Sequence, residues 1–346
     1  MELLERQDQI GELSRHLNGV RVGTGRMAFV GGEAGAGKSA LVEEFARSAG
    51  EGTKVLWGHS DALQTSRVLG PVHELRAGLS AKPRPITDLA DGREQLFAAL
   101  FERLSAPNPV CVVILEDLHW ADEATLDFLR FLCRRIQRTR CLLVGTYRSD
   151  ELGATHLLRA TLGELTGAHS ARIDLPPLSF SAVERLVEGT ARNARQVFTV
   201  TAGNPFFIKE LLSAPDDAVP VTVRDAVLAR LMHCSPRARE LAELVSLVPG
   251  RAEPWITVLL GEAGPAADEV VERGLLRYQD PGLAYRHELG RLAVESAITR
   301  ARAQEMHQRI LSVLIEHDAD VSRLVHHASG AGDTEAILKY CPDAAR

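Results

Sequence analysis

Apolar positions along the chain follow two alternating rhythms. Leu3, Leu4, Ile10, Leu13 and Leu17 recur at roughly helical spacing, which predicts an opening amphipathic helix. Met27 to Val30 is a short unbroken apolar run, which predicts a buried strand. Glycine-rich residues 31–37 follow it, and Leu41, Val42, Phe45 and Ala46 then mark one face of a helix. Further strands are predicted at Lys54 to Trp57, Val110 to Leu115, Cys141 to Gly145 and Ala171 to Leu175. Helices are predicted over 91–104 and over 123–137, the second with Leu126, Leu129, Leu132, Cys133 and Ile136 on one side. Unbroken apolar strands alternating with helices describe a parallel sheet covered on both faces, an α/β fold.

That rhythm stops at Pro176-Pro177. Short helices are predicted from there to about 212, another from Thr222 to Leu231, and mostly helix over 236–300. One hairpin interrupts the last stretch. Leu275 to Tyr278 and Leu283 to Arg286 are its strands, and Gln279-Asp280-Pro281-Gly282 has the chemistry of a turn. Helices with a small hairpin predict a winged-helix unit.

Composition narrows the picture. The 346 residues suffice for two or three domains, and the 45% hydrophobic and 25% charged content is that of a globular chain. A net charge of −6 argues against a chain dominated by non-specific nucleic-acid binding. No apolar run approaches a membrane span, and the charged, amphipathic N-terminus is not a secretory signal. Cys111, Cys133, Cys141, Cys234 and Cys341 are not paired at metal-ligand spacing; Cys111 and Cys141 read as buried thiols. These features predict a reducing, cytoplasmic setting.

The chemistry concentrates in one motif. Gly32-Glu33-Ala34-Gly35-Ala36-Gly37-Lys38-Ser39 fits G-x-x-x-x-G-K-[ST], follows a predicted strand and opens a predicted helix. Gly32, Gly35, Ala36, Gly37 and Ala40 lie along the backbone that would curl around a polyphosphate, with the helix N-terminus adding partial positive charge. Lys38 is predicted to reach the β- and γ-phosphates of ATP or ADP, and Ser39 to ligate Mg²⁺. Such a site needs a carboxylate at the end of a neighbouring strand, and Glu116 and Asp117 close the run from Val112. Adjacent strand residues face opposite ways, so one acid would hold the metal and the other activate water. Arg148 ends the run from Val144 at the sheet edge where ligands bind, and a cation there can stabilise the γ-phosphate. His59, Asp61, His119 and Trp120 also fall at strand ends.

With these residues in hand, the chain resembles the STAND-class, AAA+-related signal-transduction ATPases. More narrowly it is similar to the N-terminal half of large ATP-binding LuxR-family, MalT-like transcriptional regulators. The resemblance rests on Leu4-Glu5-Arg6, the phosphate loop, ILEDLHWADEATLDFLRFL, LLVGTYRSDEL, LPPLS, TAGNPFFIKELL, VTVRDAVLARL and YRHELGRLAVESAI, running from residue 4 to about 300. It implies a P-loop ATPase core over 1–176, a helical lid over 177–219, a winged-helix-like domain over 220–305 and the start of a helical-repeat sensor over 306–346. It implies that Arg6 lies near the adenine, that Glu116 holds Mg²⁺ and Asp117 is the catalytic acid, although many relatives have Asp first. It matches Arg148 with the sensor-1 arginine and Gly203-Asn204-Pro205 with the lid motif whose proline packs on adenine. It likens His287 to the winged-helix histidine that touches the β-phosphate of ADP.

In that family a sensor region and a LuxR-type helix-turn-helix follow the ATPase. The resemblance therefore implies a truncated chain, or a natural product lacking its DNA-binding end. An inducer would act through the missing sensor and DNA through the missing helix-turn-helix. Self-association is expected in the ATP state, and no membrane association. The leading functional expectation is a slowly hydrolysing ATP/ADP switch that regulates transcription. The alternative is an AAA+ motor or DNA loader whose winged helix binds DNA. A small-molecule kinase is disfavoured by the EDLHWADE segment and by the helices after Pro177.

Overall fold

The computed structural model describes residues 3–61, 68–79, 89–167, 169–214, 219–261 and 263–344. The chain divides into two compact units, Met1–Leu178 and Ser179–Arg346.

The first unit is built on five strands: β1 Arg26–Gly32, β2 Thr53–His59, β3 Val110–Glu116, β4 Cys141–Arg148 and β5 Ser170–Asp174. All are parallel, in the order β2-β3-β4-β1-β5. Among the described residues the helices that accompany them are α1 Gln7–Arg21, α2 Lys38–Ser48, α3 Gly70–Leu79, α4 Leu89–Ser105, α5 Glu123–Cys133 and α6 Leu157–Glu164. Alternate strand residues sort onto two faces. Ala28, Val30, Val112, Ile114, Leu142 and Val144 share a core with Leu13 and Leu17 of α1 and Leu41, Val42 and Phe45 of α2. Met27, Phe29, Val113, Leu115 and Leu143 share the other with Val72 and Leu75 of α3, Phe97 of α4 and Phe128 and Leu129 of α5. Apolar cover on both faces is why the strands read as unbroken hydrophobic runs. Emptying either core of one phenylalanine would cost about 3–5 kcal/mol.

This is the P-loop NTPase α/β fold. After β1 the chain crosses to the far edge, and β3 and β4 return toward it, so the order reverses beside β1. The C-terminal ends of β1, β4 and β3 therefore meet at a topological switch point, the place where such sheets bind ligands.

Two local features differ from the pattern reading. The helix expected over 123–137 stops at Cys133, and a 3₁₀ turn over Ile136–Arg138 replaces its end. Arg135 leaves helical geometry at φ −127°, and Ile136 turns into the core. Helix α3 was not predicted, although Leu69, Val72 and Leu75 recur at intervals of three and are buried.

Among its described residues, the second unit is helical apart from one ribbon. Its helices are α7 Phe180–Val187, α8 Ala194–Thr201, α9 Pro205–Ser213, α10 Val221–Met232, α11 Pro236–Ser246, α12 Pro254–Thr257, α13 Gly264–Glu272, α14 Glu288–Glu295, α15 Arg300–Glu316, α16 Val321–Ala331 and α17 Thr334–Ala344. Strands β6 Leu276–Gln279 and β7 Gly282–Tyr285 pair antiparallel, with the expected turn between them. One core runs from Phe207 to Ala336, so the segments expected as lid, winged helix and sensor all contribute side chains to it. Residues 215–218 of the expected lid lie outside the described residues. Among the described residues, no helix is long and apolar enough to cross a membrane.

Candidate nucleotide site

The phosphate loop leaves β1 at Gly32 and enters α2 at Lys38. Its turn needs glycine at two positions, since Gly35 and Gly37 sit at φ +81° and +92°. Gly32 is crowded: a Cβ there would meet Leu175 at 3.1 Å and Ala36 at 3.3 Å. Lys38 is buried, and its ammonium donates to the carbonyls of Gly32 and Glu33, each at 2.8 Å. Burial pushes its pKa down to about 8, against the pull of Asp150, which favours the charged form.

Ser39 lies in the first turn of α2 and reaches β3. Its hydroxyl donates to Glu116 Oε1 at 2.7 Å. Glu116 ends β3, paired in register with His59 of β2, whose Nε2 stands 3.7 Å from Glu116 Oε2. His59 also meets Glu74 of α3, with Nδ1 at 3.2 Å from Oε2 and the backbone N–H donating at 2.9 Å. A cavity of about 330 Å³ lies alongside, lined by His59, Asp61, His73, Glu74, Trp120 and Asp122 among others.

Asp117 lies beyond the strand, at φ 55° and ψ 43°. The two acids are thus separated by a left-handed turn rather than by the alternation of a strand. Thr146 of β4 accepts the Asp117 backbone N–H at 3.1 Å, which fixes that turn. Burial raises the Asp117 carboxyl above the ordinary aspartate value, and Arg148 and Lys38 partly oppose it.

Arg148 ends β4 directly beside Gly32 in the β1–β4 register. Its guanidinium pairs with Glu151 and lies 4.8 Å from the centre of the Trp120 ring. The buried His119 imidazole accepts the Arg148 backbone N–H at Nδ1, 3.4 Å away, and Nε2 is 3.6 Å from Glu151. Burial first, and then Arg148, Lys38 and His156, press His119 down to about 3, so the ring is neutral at pH 7. The 3₁₀ turn after Arg148 brings Asp150 to the phosphate loop, where Oδ1 accepts the Ala34 N–H at 3.2 Å. Neither Asp150 nor Glu151 was singled out from the sequence; their only signal was proximity to Arg148.

Arg6 is 3% exposed. Its guanidinium donates to Ala36 O at 3.3 Å and Pro176 O at 2.8 Å, fastening the loop to the end of the unit. In the second unit, Ala202 and Gly203 adopt left-handed conformations that end α8, and the Asn204 side chain accepts Phe206 N–H to cap α9, with Pro205 in its first turn. The Gly-Asn-Pro motif is thus a helix break and restart. His287 precedes α14, its ring edge-on to Phe207 at 4.8 Å.

The first unit thus brings together the loop from Gly32 to Ala40, Glu116, Asp117, Arg148 and Arg6; Pro205 and His287 belong to the second. The donors suit a Mg²⁺-nucleotide: a buried ammonium, a helix N-terminus, and a hydroxyl beside a carboxylate. The fold is that of the P-loop NTPase class, and these residues sit at the end of its sheet.

Residues 2–144 match the family model described as AAA ATPase domain. Over 97% of its length the chain is 25% identical to an uncharacterized protein of Rhizobium meliloti, and it spans only 40% of that relative. A Walker-type ATPase of Pyrococcus abyssi shares the fold, with TM-score 0.57 and 12% identity over 84% of this chain and 96% of that one. A STAND protein with a tetratricopeptide-repeat sensor from Pyrococcus horikoshii aligns over 95% of this chain and 49% of that one, at 16% identity and TM-score 0.35.

Proposed function

We propose that the chain is an ATP/ADP-dependent signalling switch that hydrolyses ATP slowly, and that it belongs to a regulator of transcription. The observation that carries the nucleotide part is the 2.7 Å hydrogen bond from Ser39 to Glu116, which draws a phosphate-loop hydroxyl and a strand-end carboxylate together as two ligands for one cation. Ser39 and Glu116 would hold Mg²⁺, which when bound neutralises charge on the phosphates. Lys38 binds and orients the polyphosphate. Asp117 accepts a proton from water as the new P–O bond forms at the γ-phosphorus and the β–γ bridge breaks, releasing ADP and phosphate. Arg148 stabilises charge on the γ-phosphoryl oxygens once it leaves Glu151.

Slow turnover is supported by the hold of Glu151 and Trp120 on Arg148. Arg148 must exchange Glu151 and Trp120 for a phosphate, and each exchange works against the catalytic step. Arg6, Pro205 and His287 are retained as candidate nucleotide contacts, self-association as the ATP-state response, and a winged-helix role for the second unit. The test is the nucleotide that co-purifies with the protein, followed by single-turnover hydrolysis with and without duplex DNA. Tightly held ADP and a DNA-independent rate are expected. An empty site with DNA-stimulated turnover overturns the switch in favour of a motor.

A further inference from the structure

We propose that His307, His326 and His327 form a binding site for a divalent d-block cation of the zinc, nickel or copper kind, between α15 and α16 of the second unit. One ring nitrogen from each histidine lies within 4.8 Å of the other two. The two Nδ1 atoms of His307 and His327 are 2.9 Å apart, and the three ring centres are 4.9 to 5.6 Å from one another.

These spacings fit a cation. With metal–nitrogen bonds of about 2.0–2.1 Å, two donors at a right angle stand about 2.9 Å apart, and two tetrahedral donors about 3.3 Å. His307 and His327 already meet the first separation, and a few tenths of an ångström reach the second. His326 needs only to swing inward. Its ring is exposed, and its Nε2 has a long 3.4 Å approach to Leu247 O. Water can complete the coordination from that side.

The pocket is shaped around the rings. Gly330 follows His326 and His327 by one helical turn, and a Cβ there would come within 2.4 Å of the His307 ring. His327 is 1% exposed, yet its Nε2 is buried without a hydrogen-bond partner. Burial keeps both inner imidazoles in the neutral, ligating form, with His307 down to about 4 and His327 to about 3. Arg323, whose charge is felt at His327, is committed to Glu253 through two 2.9 Å hydrogen bonds. Neutral imidazoles without a carboxylate or thiolate among them select zinc, nickel or copper over magnesium or calcium.

The test titrates Zn²⁺ into the chelator-stripped chain by competition with a chromophoric chelator, and Co²⁺ as a spectroscopic probe. One equivalent is expected to bind. His326→Ala, which changes an exposed ring, should weaken that binding at least tenfold, and His327→Gln at least a hundredfold. Co²⁺ should show ligand-field bands without a thiolate charge-transfer band. Zn²⁺ should raise the thermal midpoint of the wild-type chain and leave His327→Gln unmoved. Absence of stoichiometric binding, a thiolate band, or affinity unchanged in His326→Ala overturns the site, and the last readout decides it if His327→Gln fails to fold.

Discussion

The backbone N–H of Ala34, in the phosphate loop, donates to the carboxylate of Asp150, in the middle of the turn after β4. A carboxylate on that donor competes with a phosphate oxygen. Asp150→Ala is therefore expected to tighten ATP and ADP binding by about fivefold, the equivalent of about 1 kcal/mol, after allowing for partial solvent exposure. Isothermal titration of both nucleotides checks it, and weaker binding would mean that Asp150 shapes the loop instead of guarding it.

Lys38 gives the site a pH signature. Burial holds its pKa at about 8 in the protein, and a polyphosphate favours the charged form, raising that value on binding. Below pH 8 the ammonium is already charged and affinity is flat. Above it, binding must take up a proton, so affinity falls by up to tenfold per pH unit until the bound-state pKa is passed. Lys38→Met should bind far more weakly, and with no such slope. Calorimetry in buffers of different ionisation enthalpy at pH 9 reads the proton directly; no uptake would remove Lys38 from the phosphates.

Binding and cleavage separate at the two acids. Asp117→Asn should leave ATP affinity within about threefold and slow hydrolysis at least a hundredfold, since an amide takes no proton from water. Glu116→Gln should weaken the Mg²⁺ dependence of binding. If Glu116→Gln binds Mg²⁺-ATP normally and Asp117→Asn does not, the roles are exchanged.

Arg6 reads as a fastener. Replacing it with Met strands the carbonyls of Ala36 and Pro176, and the loss of these charge-assisted hydrogen bonds should cost about 3 kcal/mol. Faster amide exchange in β1 and β5 would register it. Unchanged exchange together with lost nucleotide affinity would return Arg6 to the adenine.

His287 carries two separable effects. Losing its edge-on contact with Phe207 should cost about 1 kcal/mol of stability. If it also touches bound ADP, His287→Ala lowers ADP affinity more than ATP affinity. Equal small changes for both nucleotides leave it the packing role alone.

Much of this was legible in the sequence because it is local. Unbroken apolar runs of strand length announced β1, β3 and β4, and a fixed spacing announced Gly32 to Ser39. The reach from Ser39 to Glu116 spans 77 positions and depends on strand order, which periodicity does not encode. Asp150 on Ala34 and Arg6 on Pro176 are of the same kind, made by chain segments that meet only after folding. His307 carried no motif with His326 and His327, which lie about twenty positions further along the chain. The Gly-Asn-Pro motif shows the converse: it was matched for a ligand role, and its local capping chemistry accounts for the residue types without one.

Because β4 lies between β1 and β3, it acts as a spacer gauge for the chemistry. The loop proposed to hold phosphate and the acids that face it never share a ladder; their separation is the width of one intervening strand. Gly145, in the middle of β4, has Leu118 on one side and Phe29 on the other, each closer than 3 Å to where a Cβ would stand. Widening the strand there would splay Ser39 from Glu116 with no change at either residue. Loss of cation-dependent ATP binding could thus originate from a methyl group buried in the sheet, touching neither nucleotide nor metal.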